Sequence, residues 1–242
     1  MKHVYAGAAA FAATLTMMTS AHALIIGESD SINSIPFNQR PLTTGSFYQQ
    51  VYDADQFPGT VDISSLTFFR AGGNATYNEG TYTFSLSTSL NPVAGLSISV
   101  PESNVGSDET FFAELALSGT VDQLLVVNAG TGGGSSFTYD PTQGDLLLDI
   151  AISNPGADGS GQFVADADAQ FFSRSHDFGS GFTGFGLVTE FGFGAISPPP
   201  PPPPPPTPAP PPPPPTGIAE PTSLALLGTG LALTGLARRR RR

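Results

Sequence analysis

The chain has 242 residues, no cysteine, no tryptophan and a formal net charge of −11. The missing cysteines exclude a disulfide framework, a thiol nucleophile and a thiolate metal site. With both ends set aside, the central region keeps Arg40, Arg70 and Arg174 against nineteen acids, a net charge of −16. That balance excludes nucleic-acid binding through phosphate neutralisation and disfavours an anionic membrane surface; it serves solubility in the open medium.

The first element in chain order is a secretory leader over 1–23. Lys2 gives a positive start, Val4 to Met18 is an Ala-rich apolar run, and Ala21-His22-Ala23 supplies the small residues of a cut before Leu24. The run is short and broken by Thr14 and Thr16, so it would span a bilayer poorly as a permanent anchor.

Residues 24–197 form one domain, long enough to bury a core and rich in strand signals. Strands are predicted at Phe47–Tyr52, Ile63–Arg70, Thr81–Ser87, Phe111–Leu117, Val121–Val127, Leu146–Ser153 and Phe182–Phe193. In Thr81–Ser87 the odd positions carry hydroxyls and the even positions are apolar, the period-two pattern of a sheet with one wet face. Turn signals separate the runs, among them Ala71-Gly72-Gly73-Asn74, Asn91-Pro92, Asn104-Val105-Gly106, Gly132-Gly133-Gly134, Asp140-Pro141 and Asn154-Pro155-Gly156. Short strands without βα alternation, and no fixed-period repeat, predict an all-β fold. The expected architecture is a single antiparallel β-sandwich of jelly-roll-like type. The phenylalanines are expected in its core.

Catalytic signals are sparse. One histidine, His176, follows the leader, in Ser173-Arg174-Ser175-His176-Asp177. With no Gly-x-Ser-x-Gly and a Gly/Ser-rich setting, this stretch reads as a polar loop rather than a hydrolase triad, and no catalytic residue is assigned. One histidine and no cysteine give zinc little support. Structural calcium is the metal candidate, through Asp53 and Asp55 and through Asp166 and Asp168, each a pair of carboxylates one residue apart. No complete Asp-x-Asp-x-Asp-Gly loop accompanies them, and solvated acidic loops are the simpler reading. A carbohydrate-binding role would draw on Tyr48, Tyr52, Tyr77, Tyr82 and Tyr139 for stacking, on the analogy of other β-sandwiches.

Pro198 to Pro215 is proline interrupted by Thr207 and Ala209. Fixed φ and missing amide donors dictate polyproline II, a semi-rigid spacer whose eighteen residues extend roughly 55 Å at about 3.1 Å each. Residues 216–242 then form three parts: a motif, Ala219-Glu220-Pro221-Thr222-Ser223; an apolar stretch, Leu224 to Ala237; and a basic cluster, Arg238, Arg239, Arg240, Arg241 and Arg242. The arginines resist translocation and hold the C-terminus inside while the leader has sent the domain out. The expected short transmembrane helix of fourteen residues reaches roughly 21 Å against about 30 Å of hydrocarbon, and Gly228, Gly230 and Gly235 weaken it. Such a tail suits transient insertion in the inner membrane and later removal.

Ala219 to Gly228, followed by the apolar stretch and the arginines, resembles the PEP-CTERM sorting domain of Gram-negative bacteria, over about Ile218 to Arg242. Ala219 stands where that family has its first proline. The resemblance implies processing by an exosortase, an integral-membrane cysteine protease that recognises Pro-Glu-Pro and cuts near it. It further implies display at the cell surface or in the extracellular matrix, often with exopolysaccharide and biofilm. Gln50-Val51-Tyr52-Asp53, Gly80 to Ser87 and Phe137 to Ile150 resemble a recurrent domain type found upstream of such tails. That likeness implies a secreted β-domain and carries no activity or site residues.

Overall fold

The computed structural model describes residues 23–38, 42–177 and 180–194, all in the first of the chain's two units, which ends at Pro198. Residues 1–22 of the leader, the polyproline spacer, the sorting motif Ala219–Ser223, the transmembrane stretch and Arg238–Arg242 lie outside the described residues, while the leader's last residue, Ala23, opens the first strand. Among the described residues no helix is long and apolar enough to cross a membrane.

Fourteen strands are described, with five short 3-10 turns between them. They are β1 (Ala23–Ile26), β2 (Ser31–Asn33), β3 (Ser46–Tyr52), β4 (Val61–Ala71), β5 (Gly80–Thr88), β6 (Thr110–Leu117) and β7 (Leu124–Asn128). After these come β8 (Phe137–Tyr139), β9 (Leu146–Ser153), β10 (Gln162–Asp166), β11 (Phe172–His176), β12 (Ser180–Thr183), β13 (Gly186–Leu187) and β14 (Thr189–Phe193). The all-β expectation holds, and every pairing among the described residues is antiparallel, in two sheets. The six-stranded sheet runs β12-β11-β3-β9-β5-β6. The eight-stranded sheet runs β1-β14-β4-β10-β13, with β7 and β8 also on β4 and β2 on β10.

The alternation read in 81–87 decides which way β5 faces: Tyr82, Phe84 and Leu86 are fully buried. Across the ladder they meet Ile152, Ile150 and Leu148 of β9. In β4 the buried phase slips from Val61 and Ile63 to Leu66 and Phe68. The slip is a bulge, since Gly192 pairs with Ser65 while Phe193 pairs with Ile63. One hydrophobic cluster draws on both sheets. Phe68 of β4 stacks toward Phe84 of β5 with centroids 6.5 Å apart, and Tyr52 of β3 meets Phe191 of β14 edge-on at 5.0 Å. At such distances aromatic pairs add about 0.5–1.5 kcal/mol beyond the area they bury.

A polar spine runs through the same core. Gln50 of β3 donates from Nε2 to the Leu187 carbonyl at 2.9 Å and accepts the Leu187 N–H at 2.8 Å, so its amide forms a sheet-to-sheet bridge. The Tyr48 hydroxyl donates to the same Gln50 oxygen. Tyr52 and Thr189 share a hydroxyl–hydroxyl bond of 2.7 Å. A Cβ at Gly186 would sit 2.7 Å from the Gln50 amide, so glycine there leaves the space the bridge needs.

Three expectations are corrected. Residues 173–176 are not a loop: β11 pairs residue for residue with β3, from Phe172 opposite Tyr52 to His176 opposite Tyr48. The run 182–193 is not one strand, because the chain leaves the six-stranded sheet after β12 and joins the other at β13 and β14. The turn between them needs Gly184, at φ +76° and where a Cβ would lie 2.8 Å from the Ala169 carbonyl oxygen. The strand expected at 121–127 begins at Leu124. Val121 is instead tied sideways, its N–H to Ala75 and its carbonyl to the Arg70 guanidinium at 2.6 Å.

Candidate functional site

The connection from β5 to β6, residues 89–109, is too long for a hairpin turn, and loops of this length usually have a role of their own. It folds back as a strap over the outer face of the six-stranded sheet. Odd-phase residues of the strands receive it. Val51 and Leu147 pack with Val93, Leu96 and Val105 in a small second hydrophobic cluster, separate from the main core.

Asn104, fully buried, is the polar centre of the strap. Its Nδ2 donates to Gln49 Oε1 and to the Ser97 carbonyl, both at 2.8 Å. Its Oδ1 accepts the Ser97 N–H at 2.8 Å and Asn91 Nδ2 at 2.9 Å. Gln49 in turn donates to the Pro101 carbonyl at 3.1 Å, and the Gly106 N–H reaches Ser87 Oγ at 3.2 Å. Asp145 closes the strap's beginning, accepting the Val93 N–H with one oxygen and the Ala54 N–H with the other, both at 3.0 Å. Asn104→Ala should remove four bonds and leave buried partners unpaired, at about 1–3 kcal/mol for each group left unsatisfied. Amide exchange should record the loss at Leu90, Ser97 and Gly106 while the main core keeps its protection.

Between strap and sheet lies a pocket of about 480 Å³, within the range of small-ligand sites. Phe47, Gln49, Asp149 and Ala151 form its sheet side, and Pro101, Glu102, Val105 and Glu109 its strap side. Asp149 is the perturbed group. Burial pushes its carboxyl up to about 6; Glu109 and Glu102 push the same way, and a hydrogen bond from Gln49 opposes them. A carboxylate so shifted inside a cleft is a candidate proton donor or acceptor. Sequence reasoning assigned it no role.

The sequence-predicted residues fall elsewhere. Asp53 caps a 3-10 turn, its Oδ1 accepting the Asp55 N–H at 2.8 Å. Asp166 Oδ1 likewise accepts the Asp168 N–H at 3.1 Å, in a bend after β10, and its other oxygen accepts the Glu28 N–H at 2.8 Å. The Asp53 N–H bonds to the Phe171 carbonyl, which sets the two loops side by side. Even so, among the described residues no group of three or more His, Asp or Glu side chains is placed to hold a metal ion. The five tyrosines offered for sugar stacking are buried: Tyr48, Tyr52, Tyr82 and Tyr139 fully, Tyr77 at 8 % exposure. Burial pushes the Tyr48 hydroxyl up to about 12 against the lowering effect of Arg174, and Tyr77 to about 12.

His176 and Arg174 are also buried, on the inner face of β11. The Arg174 guanidinium lies 4.1 Å from the Phe185 ring centroid, a cation–π contact. Desolvation holds that guanidinium below its usual pKa, and Tyr48 opposes the shift. Ser173, on the opposite face, donates to the Val93 carbonyl of the strap. The strand thus divides Ser173 from His176, and no triad forms among them.

No family model, curated protein or solved structure matches the chain.

Proposed function

We propose that the chain is an exported protein of the cell surface or extracellular matrix, trimmed at its tail by an exosortase-type membrane protease. Its role is non-enzymatic, in association with exopolysaccharide or biofilm. The observation that carries this reading is the order of the tail: Ala219-Glu220-Pro221-Thr222-Ser223, then Leu224 to Ala237, then five arginines. The three parts act in turn as a polar cut site, a stretch too short to hold, and a charge block against translocation. The domain reads as a jelly-roll-like β-sandwich, supported by two antiparallel sheets closing over one core. β1 and β14 are hydrogen-bonded neighbours, with Leu24, the first residue after the cut, opposite Phe191. The chain therefore enters and leaves the domain at one end of one sheet, as suits a domain tethered by a single pole.

Glu220→Ala combined with Pro221→Ala should leave the precursor untrimmed in the membrane fraction of cells that have an active exosortase. Trimming at the normal rate in that variant would remove the reading.

Polysaccharide binding is the second reading. The pocket under the strap favours it, because one ring, one amide and three carboxylates line a cleft of ligand size. Retention of the purified protein on a polysaccharide made by its own cells would support this role. Absence of retention on any of them would end it.

A further inference from the structure

We propose that the 89–109 strap is a pH-sensitive closure, seated on the six-stranded sheet while Asp149 carries its proton and loosened once that carboxyl ionises. The geometry has three parts. First, the strap is attached separately from the core. Its apolar contacts are the small cluster of Val51, Val93 and Leu147 with Leu96 and Val105, and its polar contacts centre on Asn104 and Gln49. An element whose buried contacts lie outside the main core can open without unfolding the sheets beneath it.

Second, closing the strap places carboxylates together. Asp149 stands on β9 with Gln49 opposite on β3 and Ser85 opposite on β5, both neutral. The strap brings Glu102 and Glu109 to the same pocket. Of the nearby acids, Asp108 is engaged by the Thr88 N–H and hydroxyl at 2.9 and 2.6 Å, and Glu114 of β6 accepts from the Thr83 hydroxyl at 3.3 Å.

Third, the described basic side chains are engaged away from this pocket. Arg70 is bonded to the Val121 carbonyl, and Arg174 lies on the inner face of β11 against Phe185. Ionisation of Asp149 in the closed strap therefore sets a negative charge beside Glu102 and Glu109, with no cation among the described lining residues. Opening the strap exposes the half-buried carboxyl further.

The sign follows from these positions. With the strap seated, burial holds the Asp149 carboxyl at about 6 against an ordinary 3.8, and Glu109 and Glu102 of the strap add to the rise. The closed state is therefore fully favoured below the lower value and loses ground as pH rises toward the upper one. A shift of that size allows the closing equilibrium to weaken by up to about a hundredfold.

The test is amide exchange on the full chain at pH 4.5 and 7.5, expressed as protection factors so that the intrinsic pH dependence cancels. Protection at Leu90, Ser97 and Gly106 should fall at least about tenfold at the higher pH, while Phe84 and Leu148 in the sheet hold theirs. Asp149→Asn should make strap protection equal at both values. Glu102→Gln, on an exposed side chain, should keep the strap and move its midpoint to lower pH. Flat strap protection in the unaltered protein would overturn the proposal. So would an undiminished fall in Asp149→Asn, an equal fall in the sheet, or an unmoved midpoint in Glu102→Gln. The Glu102→Gln midpoint also decides the matter should the Asp149 variant fail to fold.

Discussion

Phe68→Ala is expected to lower the unfolding free energy by about 3–5 kcal/mol, the range for removing a buried aromatic side chain. Phe68 is fully buried on the longest strand, 5.4 Å from the Phe37 ring and 6.5 Å from the Phe84 ring of the other sheet. Truncation would remove one of the contacts that join the sheets and leave a cavity that neighbours on two rigid ladders cannot close. Urea titration checks it: the midpoint should fall with little change in slope. Phe111→Ala, at a ring 37 % exposed, should shift the midpoint far less. Equal effects of the two would show that Phe68 does not join two packed layers.

Gln50→Ala should be of similar size for a different reason. Its amide satisfies both backbone groups of Leu187 and receives the Tyr48 hydroxyl. Alanine would leave the buried Leu187 N–H without its partner, take one bond from the Leu187 carbonyl (which keeps the Thr189 hydroxyl) and one from the Tyr48 hydroxyl (which keeps Arg174), and open a cavity, for a total of roughly 3–5 kcal/mol. Gln50→Glu separates this from simple volume loss, because a carboxylate still accepts the Leu187 N–H but sets an oxygen against the Leu187 carbonyl. Denaturant titration should therefore find the glutamate variant destabilised despite its conserved size. A glutamate variant as stable as the parent would rule out the bridge.

The legible parts of the fold were those whose chemistry is local. Thr81 to Ser87 alternates hydroxyl and apolar side chains, and Leu146 to Ser153 is bounded by turn residues, so both strands were readable. β11 was not, because its residues are Ser173, Arg174, Ser175 and His176. A strand can carry that composition here only because the strap covers its outer face at Ser173 and the core accepts Arg174 against Phe185 on the other. The run from Phe182 to Phe193 looked continuous since hydrophobicity does not record a change of sheet; Gly184 was the local sign. The pocket gathers Gln49, Glu102, Glu109 and Asp149 from three separate stretches of chain. No spacing rule links them, and the one available signal was the long connection marked by Asn91-Pro92 and Asn104-Val105-Gly106. The tyrosines misled for a related reason: an aromatic with a polar tip reads the same whether it lies on a wet face or, like Tyr52 beside Thr189, inside the core with its hydroxyl bonded.

The central claim is that the domain is delivered outside the cell by signals at its two ends that the mature protein no longer carries. Intact-mass spectrometry with N-terminal sequencing, on protein recovered from cells with an active exosortase, tests this most directly. The predicted product begins at Leu24 and lacks Arg238 to Arg242. Recovery of the protein with the arginine tail still attached would contradict it.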